Sequence, residues 1–304
     1  MKASIIRQKL KPWMLPIAMV CGVLFHSQIE YVAPIVPYLI FSMLLITFCR
    51  VKPREFNISR VLWELLVIQL VGSVALFWTL RPLGLDIAEA AFICVFCPTA
   101  TAAPVVTGML GGSIPKVAAY SVISNLAVAL LAPLLFTWMG ENQTDMTFTQ
   151  EFTEIAARVA PLIVFPLLVS FLLYFFAPKV HGMISGVQSL SFYLWAVSLI
   201  VVVGRSVSFM LAEPHEKIPE MIAMALIAGI VCILQFIIGR KLGQKHGDKI
   251  SAAQSLGQKN TVLAIWMALT YLNPIASVGP AAYVAWQNTI NSAQLYLKMR
   301  KVGK

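Results

Sequence analysis

The chain has 304 residues, of which 59% are hydrophobic and 12% are charged, and its formal net charge is +10. This composition excludes an ordinary soluble domain, and apolar runs long enough to cross a bilayer recur along the chain. The segments of about ten alternating residues that a β-barrel needs do not occur. The sequence therefore predicts an all-α polytopic protein embedded in a lipid bilayer.

Ten transmembrane spans are predicted along the chain. The first follows a basic N-terminus and resembles the start of a signal peptide, but no small-x-small cleavage motif follows WMLPIAMVCGVLF. We therefore expect it to remain in the protein as a helix. The predicted spans are 12–28, 32–49, 60–80, 86–110, 116–139, 153–177, 186–211, 218–240, 250–272 and 276–297.

Charge divides unequally between the two sets of loops. Most lysines and arginines lie at the two termini and in every second loop, whereas most acidic residues lie in the loops between. The positive-inside rule then predicts that both termini are cytoplasmic, and the short loops suit a bacterial inner membrane. Because topology accounts for the basic residues, we expect no nucleic-acid partner.

The fourth span of each half of the chain is interrupted. Span 4 contains CPTATAAPVVTGMLGG at 97–112, and span 9 contains SLGQKN at 255–260. The halves, 1–140 and 141–304, have five spans each, so the second is inverted relative to the first. Prolines remove backbone donors, and freed backbone groups in a membrane face protein or a water-filled cavity. Paired broken helices in inverted repeats are typical of secondary transporters.

Lys259 is the residue whose position most needs an explanation. It lies about nine residues inside span 9, roughly 14 Å deep at about 1.5 Å per residue, near the centre of a bilayer core about 30 Å thick. A charged side chain at that depth is costly and usually functional. A lysine that only snorkels to the membrane surface is the structural alternative.

At these residues the sequence resembles the bile acid:sodium symporter family and its bacterial relatives. The segment at 97–112 is similar to the family's Pro-Gly-Gly-Thr-Ala-Ser-Asn motif, SLGQKNTVLA to its Glu-x-Gly-x-Gln-Asn motif, and GPAAYVAWQNTINS to its tenth span. The resemblance implies a core of spans 3–5 and 8–10, with spans 4 and 9 crossing at their breaks. It implies a panel of spans 1, 2, 6 and 7, with substrate bound between panel and core.

The sequence departs from the family at the sodium-site positions. Ser255 stands where the resemblance implies a sodium-binding glutamate, Lys259 where it implies a glutamine ligand, and Ala103 and Pro104 where it implies a Ser-Asn pair. A sodium ion needs several oxygen ligands and is repelled by an adjacent ammonium group. Sodium coupling is therefore doubtful for this chain.

Our hypothesis is that the Lys259 ammonium stands in place of the sodium ion. It would hold the crossing together through Gln258, Asn260, Thr101 and the carbonyls of the broken helices. Two variants stay open: Lys259 loses its proton in one conformation, which would couple transport to protons, or it pairs with a substrate carboxylate.

Other polar residues in the spans are candidates for a substrate or ion site. Span 10 carries Asn288 and Asn291, which share a helix face with Ser292. Arg205 in span 7 could attract an anion. An ion pair within the helix is expected for Arg158 and Glu154. The complete set of candidates is Lys259, Gln258, Asn260, Ser255, Thr99, Thr101, Pro104, Asn125, Asn288, Asn291 and Arg205.

The predicted function is a secondary transporter of small organic anions, bile-acid-like or smaller carboxylates, that is not coupled to sodium. One alternative is a sodium- or proton-coupled symporter with a displaced ion site. Another is a cation antiporter, which needs a buried carboxylate, and the deepest acid expected is Glu64. We expect no enzyme activity, no cofactor and no metal site, since Cys94-x-x-Cys97 has no histidine or second cysteine pair to support it.

Overall fold

A computed structural model describes residues 14–51, 59–139 and 147–302. Its helices are α1 (Met14–Leu24), α2 (His26–Ile29), α3 (Val36–Phe48), α4 (Arg60–Leu80), α5 (Leu85–Phe96), α6 (Ala103–Leu110), α7 (Ile114–Met139), α8 (Phe148–Phe176), α9 (Pro178–Gly186), α10 (Gln188–Ala212), α11 (Ile218–Lys245), α12 (Lys249–Gly257), α13 (Thr261–Tyr271) and α14 (Val278–Val302). The basic residues of the N-terminus, which the topology prediction uses, lie outside the described residues, as do Lys52, Arg54, Glu141, Asp145 and Lys304.

Six helical segments of the described chain are long and apolar enough to cross a membrane. They are His26–Phe48, Arg60–Leu83, Ile114–Met139, Phe148–Phe176, Tyr193–Ala212 and His215–Lys245. These segments correspond to predicted spans 2, 3, 5, 6, 7 and 8. The chain is thus a helical, multi-pass membrane protein.

The interruptions predicted in spans 4 and 9 are present. Span 4 is divided into α5 and α6 by a break at 97–102, and span 9 into α12 and α13 by a break at 258–260. Pro98 starts the first break because it has no N–H for the next helical hydrogen bond. Pro104 lies in the first turn of α6, where a missing N–H costs nothing.

Packing places most of the described helices in two groups, which are joined where α7 of the second packs against α8 of the first. In the first helix group, α10 packs against α1, α2 and α3, and α3 packs against α8. In the second, α5 packs against α4, α11 and α14, and α12 against α11. Helix α10 approaches α1 and α2 so closely that residue 204 has to be glycine. A Cβ on Gly204 would lie 2.1 Å from Ile29 Cδ1 and 2.9 Å from the Gly22 carbonyl oxygen. Division of the protein into a moving core and a panel stays a prediction.

Polar contacts join the ends of the second helix group. At one end, the Asn273 end, Asp86 Oδ1 accepts from Asn273 Nδ2 at 2.8 Å and Asp86 Oδ2 from Lys217 Nζ at 2.7 Å. At the other, the Asp248 end, Asp248 Oδ2 accepts from Lys116 Nζ at 2.9 Å. Each end of the group therefore has one largely buried aspartate bound by residues that are distant in sequence: Asn273 and Lys217 at one end, and Lys116 of α7 at the other.

The position of the acidic residues corrects one expectation. Glu89, one turn after Asp86 in α5, is 2% exposed and its Oε2 accepts from the Asn273 backbone N–H at 2.8 Å. The Glu64 side chain is 31% exposed and binds Arg60 and His246. Glu89, and not Glu64, is therefore the more deeply buried acid. The expected helix pair is confirmed, because Arg158 Nη2 lies 2.6 Å from Glu154 Oε1.

Candidate functional site

The two breaks cross each other as a short antiparallel pair. Thr99 and Lys259 form an isolated bridge, with the Ala100 N–H donating to the Gln258 carbonyl at 2.9 Å and the Asn260 N–H donating to the Pro98 carbonyl at 2.8 Å. Backbone groups that leave a helix inside a membrane need partners of this kind. The crossing is therefore held first by main-chain hydrogen bonds, independently of side-chain identity.

The break frees three carbonyls in the last turn of α5. Pro98 has no N–H to donate to the Cys94 carbonyl. The Thr99 N–H donates instead to Ser124 Oγ at 3.3 Å, and the Ala100 N–H donates to the Gln258 carbonyl. The carbonyls left without helical partners are therefore those of Cys94, Val95 and Phe96. Each then accepts a hydrogen bond from the side chain of a different element.

Lys259 supplies the donor at the centre of this set. Its Nζ lies 2.8 Å from the Val95 carbonyl oxygen. The flanking donors are glutamine amides: Gln235 Nε2 of α11 reaches the Cys94 carbonyl at 3.2 Å, and Gln69 Nε2 of α4 reaches the Phe96 carbonyl at 2.8 Å. Because a helix C-terminus carries partial negative charge, an ammonium group there is electrostatically favourable.

The side chain of Lys259 is 1% exposed, so it does not snorkel to the membrane surface. Its hydrogen-bond partner corrects part of the hypothesis. Among the described residues Nζ binds a carbonyl of a broken helix, as expected, but not Gln258, Asn260 or Thr101. The ammonium group therefore acts on the backbone of α5 alone.

The last turn of α12 is completed in the same manner. The Lys259 N–H turns to Gln287 Oε1 at 2.9 Å, and the freed Ser255 carbonyl accepts from Thr99 Oγ1 at 2.6 Å. The Gly257 carbonyl accepts from the Tyr283 hydroxyl at 2.7 Å. Asn260, the N-cap of α13, accepts from the Leu263 N–H at 3.3 Å. Side chains thus replace the missing helical bonds on both sides of the crossing.

Two tyrosines orient the glutamines of the site. Tyr120 in α7 donates from its hydroxyl to Gln69 Oε1 at 2.8 Å, and Gln235 Nε2 donates to the Tyr283 hydroxyl in α14 at 3.0 Å. All four side chains are buried. Our sequence analysis missed all four residues. A glutamine within an otherwise apolar span is the signal that could have found two of them.

The remaining candidates of spans 4, 5 and 9 are buried, and those of spans 4 and 9 lie in or within a few residues of the two breaks. Thr101 lies in the first break, and Asn125 donates from Nδ2 to the Ser121 carbonyl of its own helix at 2.7 Å. Some of their oxygen atoms have no hydrogen-bond partner in the described part of the chain. These include Asn125 Oδ1, Ser255 Oγ and Gln258 Oε1. The site therefore has spare acceptors for water or a ligand.

The candidates in span 10 are only partly brought to the crossing. Asn291 is buried and accepts from Gln254 Nε2 at 3.1 Å, whereas Asn288 is half-buried and binds the Val284 carbonyl of its own helix. Gln287 contacts the Lys259 backbone directly. Gln287 and Asn291 therefore lie on the face of α14 that meets the crossing. Asn288 and Ser292, which were expected on that face, do not.

Arg205 lies away from the crossing, in α10 of the first helix group. It is half-buried, and its guanidinium carbon lies 6.0 Å from the centre of the Phe209 ring. No carboxylate of the described residues forms an ion pair with it. An arginine within a membrane span usually has such a partner. A role of Arg205 in binding an anion stays a prediction.

Comparison with known proteins gives a distant relative. No protein-family model matches the chain. The chain is similar to an uncharacterized sodium-dependent transporter, YocS, of Bacillus subtilis (strain 168), with 22% identity over 226 residues. The match includes 72% of this chain and 66% of the relative, so slightly less than two thirds of the relative's length is covered.

Proposed function

We propose that this protein is a secondary transporter of small organic anions, in which the Lys259 ammonium takes the place of a bound sodium ion. The observation that carries the proposal is the contact of Nζ with the Val95 carbonyl at the crossing of two broken helices. Broken helices that cross within a membrane are typical of transporter substrate and ion sites. The similarity to a protein named as a sodium-dependent transporter supports the transport class.

Charge balance argues against a second cation at the crossing. Half-helices α5 and α12 both end at the crossing, and each C-terminus carries a partial charge of about −0.5. The N-termini of α6 and α13 begin after the same breaks and carry about +0.5 each, so the four helix ends nearly cancel and Lys259 adds one net positive charge. A second cation at the same place would therefore find little uncompensated negative charge, and the nearby ammonium would repel it.

Matched contacts support two inverted five-span repeats. Gln69 and Tyr120 belong to the third and fifth spans of the first half, and Gln235 and Tyr283 to the third and fifth spans of the second. The aspartates of the two ends, Asp86 and Asp248, likewise precede or begin the broken span of their own half. Related contacts at equivalent positions are expected if both halves share one fold.

The substrate class follows from charge. Two cationic groups lie within the spans without a carboxylate partner among the described residues, Lys259 at the crossing and Arg205 in α10. An organic carboxylate is the simplest ligand for such a guanidinium group. Protons are the coupling ion that this arrangement favours, because sodium has no role in it.

A cation antiporter is the second candidate, and buried acids favour it. Asp86 and Glu89 lie in the first half of a broken span, are 7% and 2% exposed, and bind Asn273 of the other half of the chain. A buried carboxylate is what proton-linked cation exchange needs. Both groups already have hydrogen-bond donors, however, so we favour the anion transporter.

Uptake into proteoliposomes tests the proposal. Labelled taurocholate and labelled benzoate would be offered with a sodium gradient, with a proton gradient or with neither. We expect uptake of at least one carboxylate without sodium, and its loss in Lys259→Gln. Uptake that requires a sodium gradient would contradict the built-in cation, and uptake of neither compound would contradict the substrate class.

A further inference from the structure

A serine pair joins the two helix groups near the Asn273 end. Ser206 of α10 and Ser277 of the turn Pro274–Ser277 both have 0% exposure, and their hydroxyl oxygens lie 2.6 Å apart. The turn directly precedes α14, and Ser206 is six residues before the end of α10. The hydrogen bond therefore spans the boundary between the groups at one end of the molecule.

Packing between the groups is concentrated on the same side of the crossing. Helix α10 packs against α13, the turn Pro274–Ser277 and α14, and α3 also packs against α13. Helices α7 and α8 pack across the boundary as well, and their buried residues in the shared core cluster lie mostly at 128–139 and 155–167, in the half of α7 away from Lys116 and the Asp248 end. The other half-helices pack within the second group, α6 against α7, α12 and α14, and α12 against α4, α7 and α11. The structure is thus closed between the groups at the Asn273 end.

Two serines suit a contact that must open and close. A hydrogen bond between neutral hydroxyls contributes little net free energy, and both groups can bind water when they separate. Small side chains also allow the helices to meet without interlocking apolar surfaces. By contrast, Lys217 and Asp86 bind within the second group and remain joined when the groups separate.

Ser206 is thus the residue of α10 whose hydroxyl crosses to the second helix group at the Asn273 end. We propose that the Ser206–Ser277 hydrogen bond is a latch that closes the Asn273 end, and that its opening separates the two helix groups there. This rests on the transport function proposed above. An interhelical hydrogen bond without a gating role is the competing account.

Thiol accessibility tests the latch without a known substrate. The reporter is Val202→Cys, one turn before Ser206 in α10 and 1% exposed, and Val231→Cys in α11 is a control reporter buried inside the second group. The maleimide reaction rate of each would be measured in purified protein with Ser277, with Ser277→Ala and with Ser277→Thr. The protein without a reporter gives the background from its own cysteines.

Loss of one hydrogen bond should raise the open fraction about two- to tenfold, and the Val202→Cys rate should rise by the same factor in Ser277→Ala. Ser277→Thr, which keeps a hydroxyl, should react at the original rate, and Val231→Cys should not change. Equal Val202→Cys rates in Ser277 and Ser277→Ala would overturn the latch. An equal rise at Val231→Cys would overturn it too, because it would show general loosening.

Sidedness and transport separate the latch from the proposed function. In sealed vesicles, His215→Cys and Gln244→Cys mark the membrane faces of the Asn273 and Asp248 ends, since both positions are exposed. An impermeant maleimide should reach Val202→Cys in Ser277→Ala from the His215 face, and reaction from the Gln244 face alone would refute the latch. If labelling follows this pattern but no carboxylate is transported, the transport proposal fails while the latch stands.

Discussion

Replacing Lys259 with alanine should create a cation site where the wild-type protein has none. The substitution removes the donor to the Val95 carbonyl, which lies 2.8 Å from Nζ in a fully buried place. A hydrogen bond to a charged group contributes about 1.5–3 kcal/mol, and relief of the ammonium's burial offsets part of this. We expect Lys259→Ala to lower the free energy of unfolding by about 2 kcal/mol.

A small cation should restore part of the loss. With the ammonium gone, the Val95 carbonyl at the end of α5 has no donor, and Ser255 Oγ and Gln258 Oε1, close to residue 259 along the chain, already have no hydrogen-bond partner among the described residues. A ligand at ten times its dissociation constant stabilises the folded state by about 1.4 kcal/mol. Sodium or methylammonium should therefore raise the unfolding midpoint of Lys259→Ala, while choline at equal ionic strength should not.

Lys298→Ala is the matched control. Lys298 Nζ also binds the carbonyl of a half-helix end, Met109 of α6 at 2.9 Å, but in an exposed position where water can replace it. Its loss should change stability by well under about 1 kcal/mol and confer no sodium response. The reasoning is refuted if Lys259→Ala is as stable as the wild type, or if sodium affects the two alanine variants equally.

Three further changes test other contacts by equilibrium unfolding. Tyr283→Phe leaves a carbonyl at the end of α12 without a donor and should cost about 1–3 kcal/mol, and no change would show that water replaces the hydroxyl. Gly239→Ala would place a Cβ 2.6 Å from the Ala252 carbonyl oxygen and should cost about 1–3 kcal/mol, so unchanged stability would contradict the helix contact. Burial would raise the pKa of Asp248, but hydrogen bonds from Ser251 and Lys116 lower it below its ordinary value. The contribution of Asp248 to the free energy of unfolding should therefore be fully present above its ordinary pKa and should disappear as the pH falls through its lowered pKa. This loss of stability at acid pH should be absent in Asp248→Asn.

The sequence predicted the elements whose signal is local. Long apolar runs gave the long spans, and span 3 was predicted at the limits of α4, 60–80. Pro98 gave the break in span 4, since a missing N–H acts on the helix that contains it. The intramembrane position of Lys259 gave the central residue of the site, because a charge in that place is costly in any fold.

The partners of Lys259 could not be predicted, because they depend on tertiary geometry. The acceptor is a backbone carbonyl that becomes available only when Thr99 turns its N–H to Ser124. A carbonyl has no sequence signature, so side chains adjacent in sequence, such as Gln258, were expected in its place. Glu64 was likewise expected to be the deepest acid, whereas Glu89 is the more deeply buried one, in contact with Asn273 of the other half of the chain.

Sodium titration of the wild-type protein tests the central claim most directly. The unfolding midpoint of the purified protein would be followed as sodium replaces choline at constant ionic strength. A ligand that binds only the folded state must raise this midpoint. Because the Lys259 ammonium group already fills the site, we expect no sodium-specific rise. A saturable rise with sodium would contradict the account, since it would show that an ion site survives beside Lys259.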